Sequence, residues 1–253
     1  MAFDAVKTTN NIIDWIKTYF INNAGPDTKA VIGISGGKDS LIAAALCARA
    51  LGPERVYGVM MPNGTQADIA DSRATIAYLG IPHTLIDIGD TVSAHYESIK
   101  DIAELNDAIL TNVPARVRMI TLYSVAASIG GRVVNTSNYS EKYVGYSTKW
   151  GDGVGDFSPL GSLTVSEVLQ IGEVLNLPRH LLYKAPSDGM TGKTDEDILG
   201  FTYKEVDEYI RENKIPEDVD VYRSIVNRHE TAKHKINDIP VFITSHRFLP
   251  FSF

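Results

Sequence analysis

Ala30-Val31-Ile32-Gly33-Ile34 is followed directly by Ser35-Gly36-Gly37-Lys38-Asp39-Ser40, and then by Leu41-Ile42-Ala43-Ala44-Ala45-Leu46-Cys47-Ala48. The first run reads as a buried strand and the last as a buried helix. The turn between them therefore lies at a helix N-terminus. There, backbone N–H groups and the positive end of the helix dipole favour a bound anion. Gly36 and Gly37 let the backbone come close to a ligand and adopt positive φ. Ser35 and Ser40 add hydroxyl donors.

The turn is not a Walker A loop. That motif places a glycine five residues before its Gly-Lys pair, and here Ile32 stands there. It also needs a hydroxyl after the lysine, where this chain has Asp39. A carboxylate beside a phosphate cradle repels the ligand unless a divalent cation lies between them. Asp39 therefore reads as a magnesium ligand at a phosphate site. A plain tight turn would need neither the two serines nor the acid.

The remaining sequence reads outward from this turn. Apolar positions Val6, Ile12, Ile13, Ile16, Tyr19 and Phe20 make a helical stripe over 4–23. Strands are expected at 29–34, 56–61, 84–88 and 132–135. Helices are expected after the turn to about Leu51, and over 66–79, 89–99, 102–129, 163–176 and 196–213. Strands alternating with helices predict an α/β fold, a parallel sheet with helices on both faces. Such sheets bind ligands beyond the carboxyl ends of their strands. Residues 145–162 crowd Gly145, Gly151, Gly153, Gly155, Pro159 and Gly161 into an aperiodic stretch with charged and aromatic residues. A long loop of that kind is expected to be functional. The apolar tail, Phe248 to Phe253, is expected to dock on another surface. No repeat or linker is visible, so 1–253 is expected to be one domain.

With 253 residues, 44% hydrophobic and 22% charged, the composition is that of an ordinary soluble protein. A net charge of −7 argues against binding DNA or RNA through a basic face. The lone Cys47 makes neither a disulfide framework nor a zinc cluster. The N-terminus lacks a basic region followed by an apolar run, and no stretch approaches membrane-spanning length. A cytoplasmic protein with no membrane partner is expected.

Four further segments matter together with the turn: Asn112-Val113-Pro114-Ala115-Arg116-Val117-Arg118-Met119, Thr136-Ser137-Asn138-Tyr139-Ser140-Glu141, Gly145-Tyr146-Ser147-Thr148-Lys149-Trp150-Gly151-Asp152-Gly153, and Lys193-Thr194-Asp195-Glu196-Asp197. Ser-Gly-Gly-x-Asp-Ser after a strand resembles the loop of the ATP pyrophosphatases, adenine-nucleotide α-hydrolase-like in fold. The order and spacing of all five segments resemble the ammonia-dependent NAD synthetases over nearly the whole chain. The segment around Lys149-Trp150-Gly151-Asp152 is its specific part.

This resemblance implies a homodimer that joins ammonia to deamido-NAD using ATP, through an acyl-adenylate. Ser35, Gly36, Gly37, Lys38, Asp39 and Ser40 match the loop that holds the ATP phosphates, with Lys38, Asp39 and Ser40 closest to the chemistry. Asp39 and Glu141 match magnesium ligands. Gln66, Thr136 and Thr194 match ATP contacts. Arg116, Lys149, Asp156, His234 and Lys235 match positions that bind deamido-NAD. The expected ligands are thus ATP, Mg2+, deamido-NAD and ammonia.

Two positions depart from the family pattern. Val165 stands where relatives often carry Lys, and Met60 where they often carry Arg; Lys38, Lys142 and Lys193 are candidates to compensate. Arg116 and Arg118 lie two apart and point to different sides of a helix. Arg116 is favoured for the substrate and Arg118 for a surface or ion-pair role. Taken alone, Glu141 reads as a residue that complements a helix dipole, Lys149 and Asp152 as a solvated loop pair, and His234-Lys235 as an exposed basic patch. Residues 145–158 and 184–195 are expected to close over the ligands.

Overall fold

Four short parallel strands form the spine of the computed structural model, which describes residues 3–66, 68–184 and 194–242. In chain order the elements are α1 (Ala5–Asn23), β1 (Lys29–Gly33), α2 (Lys38–Leu51), β2 (Val56–Met60), α3 (Ile69–Leu79), β3 (His83–Leu85), α4 (Gly89–Ile99), α5 (Asp107–Ile129), β4 (Gly131–Val133), α6 (Tyr139–Tyr143), α7 (Val165–Val174), α8 (Arg179–Leu182), α9 (Asp195–Leu199), α10 (Tyr203–Glu212) and α11 (Val219–Ile236).

The strand order is β3-β2-β1-β4, with every pairing parallel. β1 is central, and the chain leaves it on one side to β2 and later returns on the other side to β4. That reversal opens a crevice at the carboxyl end of β1, where the glycine turn sits.

Alternation along the strands sends side chains to two cores. Ala30, Ile32, Val56 and Met60 join the first core with α1, α2 and α7 residues such as Ile16, Phe20, Leu46 and Ile171. Val31, Val59 and Val133 join the second, with Val92 of α4 and Val113 and Ala126 of α5. Residues Ser40 to Cys47 of α2 are all buried, which explains why that helix is apolar all round. A third cluster, Val144, Leu199, Phe201, Tyr203, Val206 and Ile225, carries the C-terminal helices beside the crevice.

The expected fold is present, with local corrections. The helix expected from 102 begins at Asp107, where the Asn106 side chain accepts from Ile109 N at 3.1 Å. The helix expected over 196–213 is two helices, because Gly200 turns left-handed at φ 77° and ends the first. α11 escaped notice because much of it is polar and little of it is buried. Among the described residues no helix is long and apolar enough to cross a membrane. The tail from Phe248 lies outside the described residues.

Candidate active site

The glycine turn is held by its own serines. Ser35 Oγ lies 3.1 Å from Ser40 Oγ and accepts from Gly37 N at 3.2 Å. Ser40 Oγ donates to Gly37 O at 3.0 Å. Gly36 takes φ 86°, and a Cβ there would stand 2.7 Å from the Asp68 carbonyl oxygen. Gly36 is therefore required twice, by its conformation and by the close approach of the residue that precedes α3.

Asp39, on α2 after β1, and Glu141, on α6 after β4, are joined by one residue, Asn138. Asn138 is fully buried. Its Nδ2 donates to Asp39 Oδ1 at 3.2 Å, and its Oδ1 accepts from Glu141 N at 3.0 Å. Its own backbone N donates to Glu141 Oε2 at 3.1 Å. Glu141 thus closes a capping box at α6, as a helix-terminal acid would. It also faces Asp39. Lys38 Nζ pairs with Asp39 Oδ2 at 2.9 Å.

This pocket is short of positive charge. Burial, and then the Asp39 carboxylate, push Glu141 well above the usual glutamate range, although Lys38 opposes them. Burial disfavours the Lys38 charge, but Asp39, Glu141 and Asp195 outweigh it and raise its pKa. Tyr146 Oη holds Asp195 Oδ1 at 3.0 Å. Tyr203, 4% exposed, keeps a hydroxyl with no hydrogen-bond partner among the described residues, and Glu141 and Asp195 lie close enough to act on it. Surplus carboxylates and an orphaned donor fit a hydrated divalent cation. Among the described residues no three carboxylates converge tightly enough to hold a metal alone. This suits magnesium, which takes one or two carboxylates and completes its shell with phosphate oxygens and water.

The crevice is a cleft of about 660 Å³ whose wall includes Ser35, Gln66, Thr136, Arg118 and Asp152. A second cavity of about 790 Å³ is walled by Trp15, Lys149, Trp150 and Phe157. Ser147, Thr148, Val154 and Lys235 line both, so the two spaces meet at the 145–154 loop.

Of the residues expected to bind the second substrate, Lys149 and Lys235 line the cavities, while Arg116 and His234 touch Lys149 without lining either. Arg116 Nε and Nη2 donate to the Lys149 carbonyl at 3.3 Å. Lys149 Nζ donates to the His234 carbonyl and lies 5.3 Å from the Trp150 ring centre. Lys235 Nζ donates to Gly145 O and Ser147 O, each at 3.0 Å. Asp156 stands apart: its carboxylate accepts from Val133 N at 2.7 Å, and it belongs to neither cavity's wall. Thr194 uses its hydroxyl as the α9 cap with Asp197, while its neighbour Asp195 lines the cleft.

Lys149 and Asp152 are not a pair. Asp152 Oδ1 accepts from Thr148 N at 2.8 Å. Desolvation by the surrounding cleft holds its carboxyl above the ordinary aspartate value. The 145–158 loop is also stitched down, by Thr148 Oγ1 on Asn112 Oδ1 at 2.7 Å and by Asn135 Nδ2 on Asp152 O at 3.1 Å. It is a wall rather than a free flap. The other expected lid, with Lys193, lies outside the described residues over 185–193.

Val165 packs against the third cluster, and its backbone N donates to Ser140 Oγ at 3.1 Å. Sequence reasoning gave no role to Asn138 and Tyr203, and it read Asp152 as half of a solvated pair and Arg118 as a surface or ion-pair residue, whereas both line the cleft. Asn138 had one visible signal, Asn three residues before Glu at a helix start, which is a capping pattern. The others had none, because their roles depend on what the fold brings opposite them.

The NAD synthase family model matches residues 8–248. An NH(3)-dependent NAD(+) synthetase of Methanosarcina acetivorans is 38% identical over 253 residues, covering 94% of this chain and 98% of its own. The solved NMN synthetase of Francisella tularensis is 32% identical with TM-score 0.87, covering 95% of this chain and 99% of its own. The NH3-dependent NAD synthetase of Campylobacter jejuni is 30% identical with TM-score 0.77, covering 96% and 100%. With the glycine turn at the head of its central strand, two joined cavities and a family match over nearly its whole length, the chain is a member of the NAD synthase family.

Proposed function

We propose that this ligase amidates deamido-NAD with ammonia at the expense of ATP, giving NAD, AMP and pyrophosphate. The observation that supports this most is the meeting of the phosphate-loop cleft with a second, aromatic-walled cavity at Lys235 and the 145–154 loop. One nucleotide occupies each space, and the reacting groups face each other where the spaces join.

The nicotinate carboxylate attacks the α-phosphorus of ATP, and pyrophosphate leaves along the Ser35–Ser40 loop. Ammonia then attacks the acyl carbon of the adenylate, and AMP leaves. Asp39 and Glu141 would hold a magnesium ion, which supplies positive charge beside the ATP phosphates. Gln66, Thr136 and Thr194 are proposed for the nucleotide side. Arg116, Lys149, Asp156, His234 and Lys235 are proposed for the deamido-NAD side. Asp152, whose carboxyl lines the cleft, is proposed to take the proton that ammonium must lose. Catalysis is then mainly positioning and charge stabilisation.

The amidated substrate has a second reading, nicotinate mononucleotide, favoured by the likeness to an NMN synthetase. The purified protein, given ATP, magnesium, ammonium and either acid, decides between them. A kcat/KM higher for deamido-NAD by tenfold or more is expected. A preference for the mononucleotide transfers the assignment to it, and no AMP release with either acid removes both.

We also propose a homodimer in which residues 1–253 act as one unit. Leu110 and Ile120 of α5 stay 38% and 60% exposed, whereas its Val113 and Val117 pack inward. A stable pairing buries at least ~1,000 Å². Sedimentation at micromolar protein should give twice 27.7 kDa. An active species sedimenting as a monomer rejects the dimer.

A further inference from the structure

Arg118 has no part in the roles assigned so far, yet it stands in the cleft. It lies on α5 four residues before Leu122, whose Cδ1 would be 3.5 Å from a Cβ on Gly33, the last residue of β1. Its Nε donates to the Met61 carbonyl at 3.1 Å, just past the end of β2. Arg118 and Met61 both line the same wall as Ser35. The guanidinium therefore hangs over the carboxyl ends of β1 and β2, within a turn of helix from the strand that feeds the phosphate loop.

Its two Nη groups have no protein acceptor among the described residues. Among the described residues, three other cations near the crevice are committed, and Arg228, which also lines it, lies over the Phe201 ring. Lys38 pairs with Asp39, Lys235 is held by two carbonyls, and Lys149 by a third. Met60, at the end of β2, is 1% exposed and turned into the first core, so that strand end offers no charge of its own. Asp152 lies near enough to favour the Arg118 charge but makes no hydrogen bond to it. A partly buried guanidinium with free paired donors is suited to the oxygens of one phosphate group.

We propose that Arg118 binds the non-bridging α-phosphate oxygens of the nucleotide, supplying from α5 the cation missing from the end of β2. The assignment rests on the reading of the cleft as an ATP site. The loop from Ser35 to Ser40 takes the outer phosphates, and the group that follows them toward β2 is the α-phosphate. Charge grows on those oxygens when the carboxylate attacks and again when AMP leaves, so the same two Nη donors serve both steps.

The test is Arg118→Gln, whose amide retains a donor toward Met61 O but carries no charge. AMP and adenosine binding are measured by calorimetry with the full chain. A charged donor lost from a bound anion costs roughly ten- to a hundredfold in affinity. AMP should weaken by that factor, adenosine should bind as before, and thermal melting should hold. Equal weakening of AMP and adenosine makes Arg118 a structural tether and overturns the proposal, as does unchanged AMP binding. Arg118→Lys is the second variant: it keeps charge without the fork, and should retain part of the preference for AMP over adenosine. If it retains none while melting normally, an electrostatic role for Arg118 is also lost. Neither binding measurement requires amidation, so a failure of the ligase reading appears separately, as no AMP release by the unaltered chain.

Discussion

Glu141→Gln is expected to keep the fold and to lose turnover by on the order of a thousandfold, since a charge beside transferring phosphoryl groups supplies several kcal/mol. The glutamine retains a capping oxygen for Asn138 N, because Gln serves at the third position of a capping box as Glu does. Melting should therefore stay near that of the unaltered chain. Asp39→Asn is expected to be equally inactive but less stable. Lys38 is 11% exposed and loses its 2.9 Å partner, and an unpaired, partly buried charge costs about 1–3 kcal/mol. Steady-state rates with parallel melting curves check both. Substantial turnover in Glu141→Gln at ordinary magnesium would falsify its assignment. Equal melting of the two variants would show that the Lys38–Asp39 pair contributes nothing to the fold.

Gly36→Ala is expected to cost both stability and activity. A non-glycine residue at φ 86° is disfavoured by about 1–2 kcal/mol. Its Cβ would also stand 2.7 Å from a backbone oxygen, that of Asp68, so either the loop or the start of α3 must move. A displacement near 1 Å at a positioning loop costs roughly a hundredfold in rate. Gly80→Ala separates the two causes. Gly80 has φ 63° but open space around its missing Cβ, and it caps α3 away from the cleft. That variant should melt slightly earlier and retain full turnover. If Gly36→Ala behaves like Gly80→Ala, the contact with Asp68 is not what fixes the loop.

The local features were legible because each depends on neighbours in the chain. Strand, glycine turn and buried helix over 29–51 can be read from periodicity and from two glycines. Alternation along β1 also reports which residues face each core, since the pleat repeats every second position. Gly200 was misread as helix interior, because a glycine at a left-handed cap and one inside a helix look alike until the chain direction changes.

Sequence alone determined the parallel α/β sheet and the glycine turn at the start of α2 with its acid, which follow from hydrogen-bonding and burial patterns spanning a few residues, and, through the resemblance of five segments, the family. Tertiary structure alone decided which groups meet. Asn138 reaches Asp39 across 99 positions of sequence, Tyr203 brings its orphaned hydroxyl to Glu141 and Asp195, and the 145–154 loop joins two cavities. It also separated Arg116 from Arg118. Two positions apart on one helix, they differ by more than half a turn, and only the packing of α5 on β1 and β4 turns Arg118 into the cleft and leaves Arg116 on the Lys149 carbonyl.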